Sequence, residues 1–120
     1  MHVVKLVTIY IVNNLDQPVS VSVLGNRFIS MIGAVKLVGP ESVEAGQAYA
    51  ITLDPRTYGW LPYISLQLKC DVAPTKGRVN AWAIFEDGRE FQVVRDLEIR
   101  DTNPHDSQSD TDSIRWVRWF

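Results

Sequence analysis

A nucleophile in this chain would come from Cys70, the only cysteine, or from a serine, with His2 or His105 as its base. Such chemistry needs the base within hydrogen-bond reach. The pattern around Cys70 argues against it. Ile64, Leu66, Leu68 and Cys70 alternate with Tyr63, Ser65, Gln67 and Lys69, which puts the thiol on the inward face of a strand. His2 lies at the terminus and His105 in a polar stretch. A thiol buried among apolar groups behaves as a small hydrophobe. No Asp or Glu stands in an apolar run that would raise its pKa, the usual mark of a general acid in glycoside hydrolysis. Glycine-rich phosphate loops and Cys/His zinc spacings are absent. The sequence therefore predicts a non-enzymatic protein without a cofactor.

Hard oxygen ligands of the kind calcium uses occur at Asp101, Asn103, Asp106, Asp110 and Asp112. Their spacing does not match the EF-hand loop, and no glycine supplies its sharp turn. A solvated acidic linker is the simpler reading, and no metal site is predicted.

The aromatic residues offer binding rather than catalysis. Tyr58, Trp60 and Tyr63 cluster around a loop. Flat apolar rings with polar tips suit stacking against sugars, although the same residues would serve equally to cap a core. The sharper signal is Ile114-Arg115-Trp116-Val117-Arg118-Trp119-Phe120. As an extended strand it places Ile114, Trp116, Arg118 and Phe120 on one side, and Arg115, Val117 and Trp119 on the other. Aromatic groups on both faces mark a contact surface. Two readings compete: a last strand in the chain's own sheet, or a strand added to a neighbouring subunit through Ile114, Trp116, Val117, Trp119 and Phe120. The preceding Asp101–Ser113 has no apolar residue apart from Pro104 and reads as a polar linker. As a flexible coil its 13 residues would reach roughly 20 Å.

These residues sit on a chain of 120, enough for one domain with a core of its own. Net charge is −2, which speaks against a nucleic-acid binder. A single cysteine allows no internal disulfide. The apolar N-terminal run is interrupted by Lys5 and Thr8 and is too short to cross a membrane, so neither a signal peptide nor a membrane span is expected.

Strands are expected over Val3–Val12, Val19–Val23, Ala34–Val38, Ala48–Leu53, Tyr63–Cys70, Arg78–Phe85 and Glu90–Val94. Gly39-Pro40 reads as a break, and Glu41–Gln47 as a loop centred on Ala45-Gly46. Asp87-Gly88 reads as the central pair of a two-residue hairpin, which sets Ile84 opposite Phe91 and Trp82 opposite Val93. Many short strands without a long amphipathic helix predict an all-β antiparallel two-sheet sandwich, immunoglobulin-like, with a jelly roll or partly open barrel as the alternative. The expected division is a domain over 1–100, a linker over 101–113 and an aromatic tail over 114–120. The expected function is assembly with copies of itself, as in virion tail, tube or decoration subunits or extracellular filaments. A glycan-binding module is the alternative, and another structural protein is a further candidate partner.

Overall fold

A computed structural model describes residues 2–3, 6–26, 35–53, 63–106, 114–115 and 117–118. The described residues form strands and turns and no helix. The strands are β1 (His2–Val3), β2 (Leu6–Asn13), β3 (Val19–Asn26), β4 (Val35–Val43), β5 (Ala48–Thr52), β6 (Tyr63–Lys69), β7 (Val79–Phe85), β8 (Glu90–Leu97), β9 (His105–Asp106), β10 (Ile114–Arg115) and β11 (Val117–Arg118). One antiparallel sheet has the order β5-β2-β7-β8. The other runs β4-β3-β6, and β9 and β10 both pair with β6. The two terminal fragments β1 and β11 pair with each other. The architecture is thus all-β with two antiparallel sheets, as the alternation of residues predicts.

Period-two patterning decides what is inside. Val19, Val21 and Val23 of β3 and Leu66 and Leu68 of β6 are fully buried, as are Ile9 and Ile11 of β2 and Ala81 and Ala83 of β7. Both sheets feed one hydrophobic cluster, completed from the connections by Leu15, Leu53, Cys70 and Ile99. Burying one such branched side chain contributes about 1.5–3 kcal/mol, so this cluster is the main source of stability. Asn13, the buried end of β2, ties the layers together. Its Nδ2 donates to the carbonyls of Gln17 (3.0 Å) and Val43 (2.9 Å), and its Oδ1 accepts from the Leu15 N–H.

Several local expectations are corrected. Of the first expected strand, His2–Val3 pairs with β11 and Leu6–Asn13 with β5 and β7, and residues 4–5 lie outside the described residues. The break expected at Gly39-Pro40 lies inside β4, which runs on to Val43 with shifts in its register against β3. The β7–β8 turn is not the expected two-residue type. Phe85 N–H donates to Arg89 O, and Gly88 N–H donates to Phe85 O. Gly88 has φ 88°. This is a three-residue loop, a type I turn closed by a left-handed residue. The extra residue sets Ile84 opposite Glu90, Ala83 opposite Phe91 and Trp82 opposite Gln92. The cluster expected from Trp82, Ile84, Phe91 and Val93 therefore does not form as a set of facing pairs. Finally, within the stretch read as linker, residues 101–106 are placed by local contacts, and residues 107–113 lie outside the described residues. Asp101 accepts from the Asn103 N–H and contacts His105 Nε2 at 3.0 Å, and His105 and Asp106 pair with Leu68 and Gln67.

Candidate functional site

The aromatic tail occupies two places. In β10, Ile114 is the backbone partner of Ile64 and Arg115 of Tyr63. In β11, Val117 pairs with Val3 and Arg118 with His2. On β6 two residues, Ser65 and Leu66, separate the β9 pairs from the β10 pairs; on the other side seven residues, 107–113, intervene. The edge strand opposite β6 is thus interrupted by five extra residues. Trp116, Trp119 and Phe120 lie outside the described residues.

Of the proposed sugar platform, Tyr58 and Trp60 lie outside the described residues, and Tyr63 opens β6 with its backbone paired to Asn26 and Arg115. Asp110 and Asp112 also lie outside them. Among the described residues, no group of three or more His, Cys, Asp or Glu is arranged to hold a metal ion. Asp101 is engaged locally: hydrogen bonds from His105 and from the Asn103 backbone hold its carboxyl below the usual value. Cys70 is fully buried, and desolvation, followed by the nearby Asp101 and Asp71 charges, pushes its thiol pKa up. A thiol so placed is a poor nucleophile.

A different surface emerges on the outer face of the β5-β2-β7-β8 sheet. Register places Ala50, Tyr10, Trp82 and Gln92 in one row across the four strands, and Thr52, Thr8, Ile84 and Glu90 in the next. Tyr10 is 39% exposed, and Trp82 and Ile84 are partly exposed. Tyr10, Trp82, Ile84 and Glu90 line a shallow groove of ≈ 220 Å³. Beside it, Gln92 Nε2 donates to Asn80 Oδ1 (2.7 Å), which also accepts from the Asp96 N–H (2.9 Å). The sequence reading missed this surface because it placed Trp82 in a facing pair with Val93. The signal was there: Thr8, Tyr10 and Val12 share one face of β2, and Asn80, Trp82 and Ile84 share one face of β7.

The hairpin tip beyond the groove carries a second exposed aromatic. Phe91, 46% exposed, meets Phe85 edge-on at 5.6 Å between centroids, and the Arg89 guanidinium lies 5.8 Å from both rings. Arg89 Nε also donates to Asp87 Oδ2 at 2.5 Å.

At the rim of the same sheet, β5 pairs among the described residues with β2 on one side only. Asn13 N–H donates to Gln47 O, and Leu53 N–H donates to Val7 O. In an antiparallel ladder hydrogen-bonded pairs alternate, so Ile11/Tyr49 and Ile9/Ile51 belong to the same bonded series. The N–H and C=O groups of Ala48, Ala50 and Thr52 then point away from β2, along the open edge.

No helix among the described residues is long and apolar enough to cross a membrane. Compared with protein-family models, curated proteins and solved structures, the chain matches none.

Proposed function

We propose that this chain is a non-enzymatic assembly subunit whose partner is another copy of itself, with the C-terminal segment as the exchanged element. The supporting observation is how that segment is attached. It consists of two two-residue strands, β10 on the edge of β6 and β11 against β1, beyond a seven-residue polar stretch. The same backbone bonds form equally well with β6 and β1 of a neighbour, which is the logic of strand exchange. Passed from each subunit to the next, the segment builds a ring or a filament according to whether the rotation closes. By analogy of architecture, such subunits serve in virion tails, tubes or decorations and in extracellular filaments. Within this reading the two sheets form an immunoglobulin-like sandwich, supported by the chain's repeated crossing between them at β2–β3, β4–β5, β5–β6 and β6–β7.

The test is the solution mass of the intact protein and of a version ending at Ser113, by light scattering over a concentration range. Oligomers of the intact chain beside a folded truncation of lower oligomeric state support exchange. Monomers in both cases refute it, and a truncation that cannot fold assigns the tail to its own sandwich.

One observation favours a second reading as a glycan-binding module. The groove of Tyr10, Trp82, Ile84 and Glu90 combines ring faces with a hydrogen-bonding carboxylate, and Gln92 stands in the same row as Trp82. Its volume falls below the roughly 300 Å³ at which small-molecule pockets usually begin, which places this reading second. Titration with oligosaccharides, read by tryptophan fluorescence in the native protein and in Trp82→Ala, tests it.

A further inference from the structure

We infer that β5 is a two-fold pairing edge: two copies of the chain join β5 to β5 in antiparallel fashion about Ala50, forming one continuous eight-stranded sheet. This rests on the assembly reading but uses no residue of the C-terminal segment.

Among the described residues, the other edges of the two larger sheets are guarded. The free side of β8 carries Glu90, Arg95 and Asp96, and its pairing with β7 is broken by two register shifts. The free side of β4 carries Lys36, Pro40 and Glu41 and has shifts of its own. The outer side of β6 is occupied by β9 and β10. Charge, proline, bulges and cover are the usual protections against edge pairing. Ala48-Tyr49-Ala50-Ile51-Thr52 has no charge, no proline, an unbroken register with β2 and, among the described residues, no covering strand.

The edge also identifies its occupant. Its outward polar groups belong to Ala48, Ala50 and Thr52, so a bonded partner must align its own outward residues with these three. Two copies related by a two-fold axis through Ala50 use all three positions at once. Ala50 meets Ala50 of the second copy, and Ala48 and Thr52 meet each other twice. Three pairs that each exchange two bonds give about six backbone hydrogen bonds; moving the axis by one residue loses a pair. The side chains fit the same arrangement. Small Ala48, Ala50 and Thr52 meet on the outer face, while Tyr49, 43% exposed, comes to lie opposite Ile51 of the second copy. No like charges meet near the axis, because the strand has none. The Tyr10–Trp82 row then runs through Ala50 into the second copy, which makes the apolar outer face continuous across the joint.

An isologous joint at β5 and an exchanged tail are two different contacts. Together they would join tail-exchanged rings or filaments to one another through β5.

The experiment is disulfide trapping in the full chain. An antiparallel bonded pair sets its Cα atoms about 5.5 Å apart, within the disulfide range of about 4.4–6.8 Å. Ala50→Cys should form a covalent dimer under mild oxidation. Val72→Cys, on an exposed turn, is the control for random collision, and native Cys70 is buried and does not compete. Ala50→Cys is expected to cross-link at least about tenfold faster than Val72→Cys, as pre-association raises the local thiol concentration. Ala50→Lys, which sets two ammonium groups on the axis, is expected to lower the mass of the assembly seen by light scattering while leaving the circular dichroism unchanged. Equal cross-linking rates, or an assembly whose mass is unchanged by Ala50→Lys, overturn the proposal. Truncation at Ser113 leaves Ala50→Cys cross-linking intact, so failure of tail exchange and failure of the β5 joint are read separately.

Discussion

Tyr10 and Trp82 are direct partners across the β2–β7 ladder, with ring centroids 6.2 Å apart and planes inclined at 45°. Both rings stand on the outer face of the sheet, away from the cluster formed by Ile9, Ile11, Ala81 and Ala83. The pair is thus a surface feature of a rigid sheet, and its contribution is separable from that of the core.

A double-mutant cycle measures that separation. Tyr10→Ala and Trp82→Ala are each expected to lower stability, with a coupling of about 0.5–1 kcal/mol between them, the usual size for an aromatic cross-strand pair. Urea unfolding of the four proteins gives the number. A coupling near zero would mean that the rings act independently, each through its own contact with the sheet.

Gly77 closes the turn before β7 and lies against the start of the β2–β3 connection. It has φ 92°, and a Cβ placed there would come within 1.8 Å of the Asn14 carbonyl oxygen. That oxygen belongs to backbone already fixed, since Asn14 N–H donates to Arg78 O and Asp16 N–H to Lys76 O. Gly77→Ala is expected to destabilise by several kcal/mol, about 3–5, through a backbone clash added to an unfavourable φ. Gly88→Ala adds a Cβ that meets nothing within 4 Å and should cost only the left-handed conformation, about 1–2 kcal/mol. Thermal or urea unfolding of the two variants side by side tests the difference; similar losses would show that the close approach at Asn14 relaxes.

Much of this is legible in the sequence, and the failures have two separate causes. The alternations Val19-Val21-Val23 and Leu66-Leu68-Cys70 set the buried faces correctly, because period two in a strand has a single geometric meaning. Turn geometry is decided more finely. Whether Asp87-Gly88 closes a two-residue or a three-residue loop depends on where one left-handed residue falls, and that single choice shifted the pairs nearest the turn, from Ile84/Glu90 to Trp82/Gln92, by one residue. Trp82 was mispaired for that reason, and with it the outer face was overlooked. The order in Asp101–Asp106 was hidden for a different reason: its stability comes from an Asx turn, the Asp101–His105 contact and pairing with β6, none of which leaves a hydrophobic trace.

Asp16 links the β2–β3 connection to the turn before β7. Its carboxylate accepts from the Thr75 hydroxyl and from the Thr75 N–H, and these two bonds, the hydroxyl first, hold its pKa below the ordinary aspartate value. A depressed folded-state pKa means that the contribution is complete above the unfolded value of about 3.9. It is lost as pH falls through the lower folded value. Asp16→Asn should therefore lower the thermal midpoint at neutral pH. The gap between variant and native protein should narrow as the pH is taken below the unfolded value of about 3.9. A gap independent of pH would show that the hydroxyl contact, and not the charge, carries the effect.

Cys70 supplies the sharpest discrimination between an assembly subunit and an enzyme. Its side chain follows β6 into the core with no exposed surface, and burial is the first cause of its raised pKa. Thiolate is the reactive form, so both access and ionisation suppress reaction in the native state. Alkylation of the native protein at neutral pH is expected to proceed only through opening of the fold, with a rate that rises with urea along the unfolding transition. Cys70→Ala should lower stability by about 1 kcal/mol through lost packing, with the oligomeric state unchanged. Rapid alkylation in the absence of denaturant, faster than that of a free thiol in solution, would reveal an accessible activated sulfur. It would reopen the case for nucleophilic chemistry at the one position in this chain where a thiol could provide it.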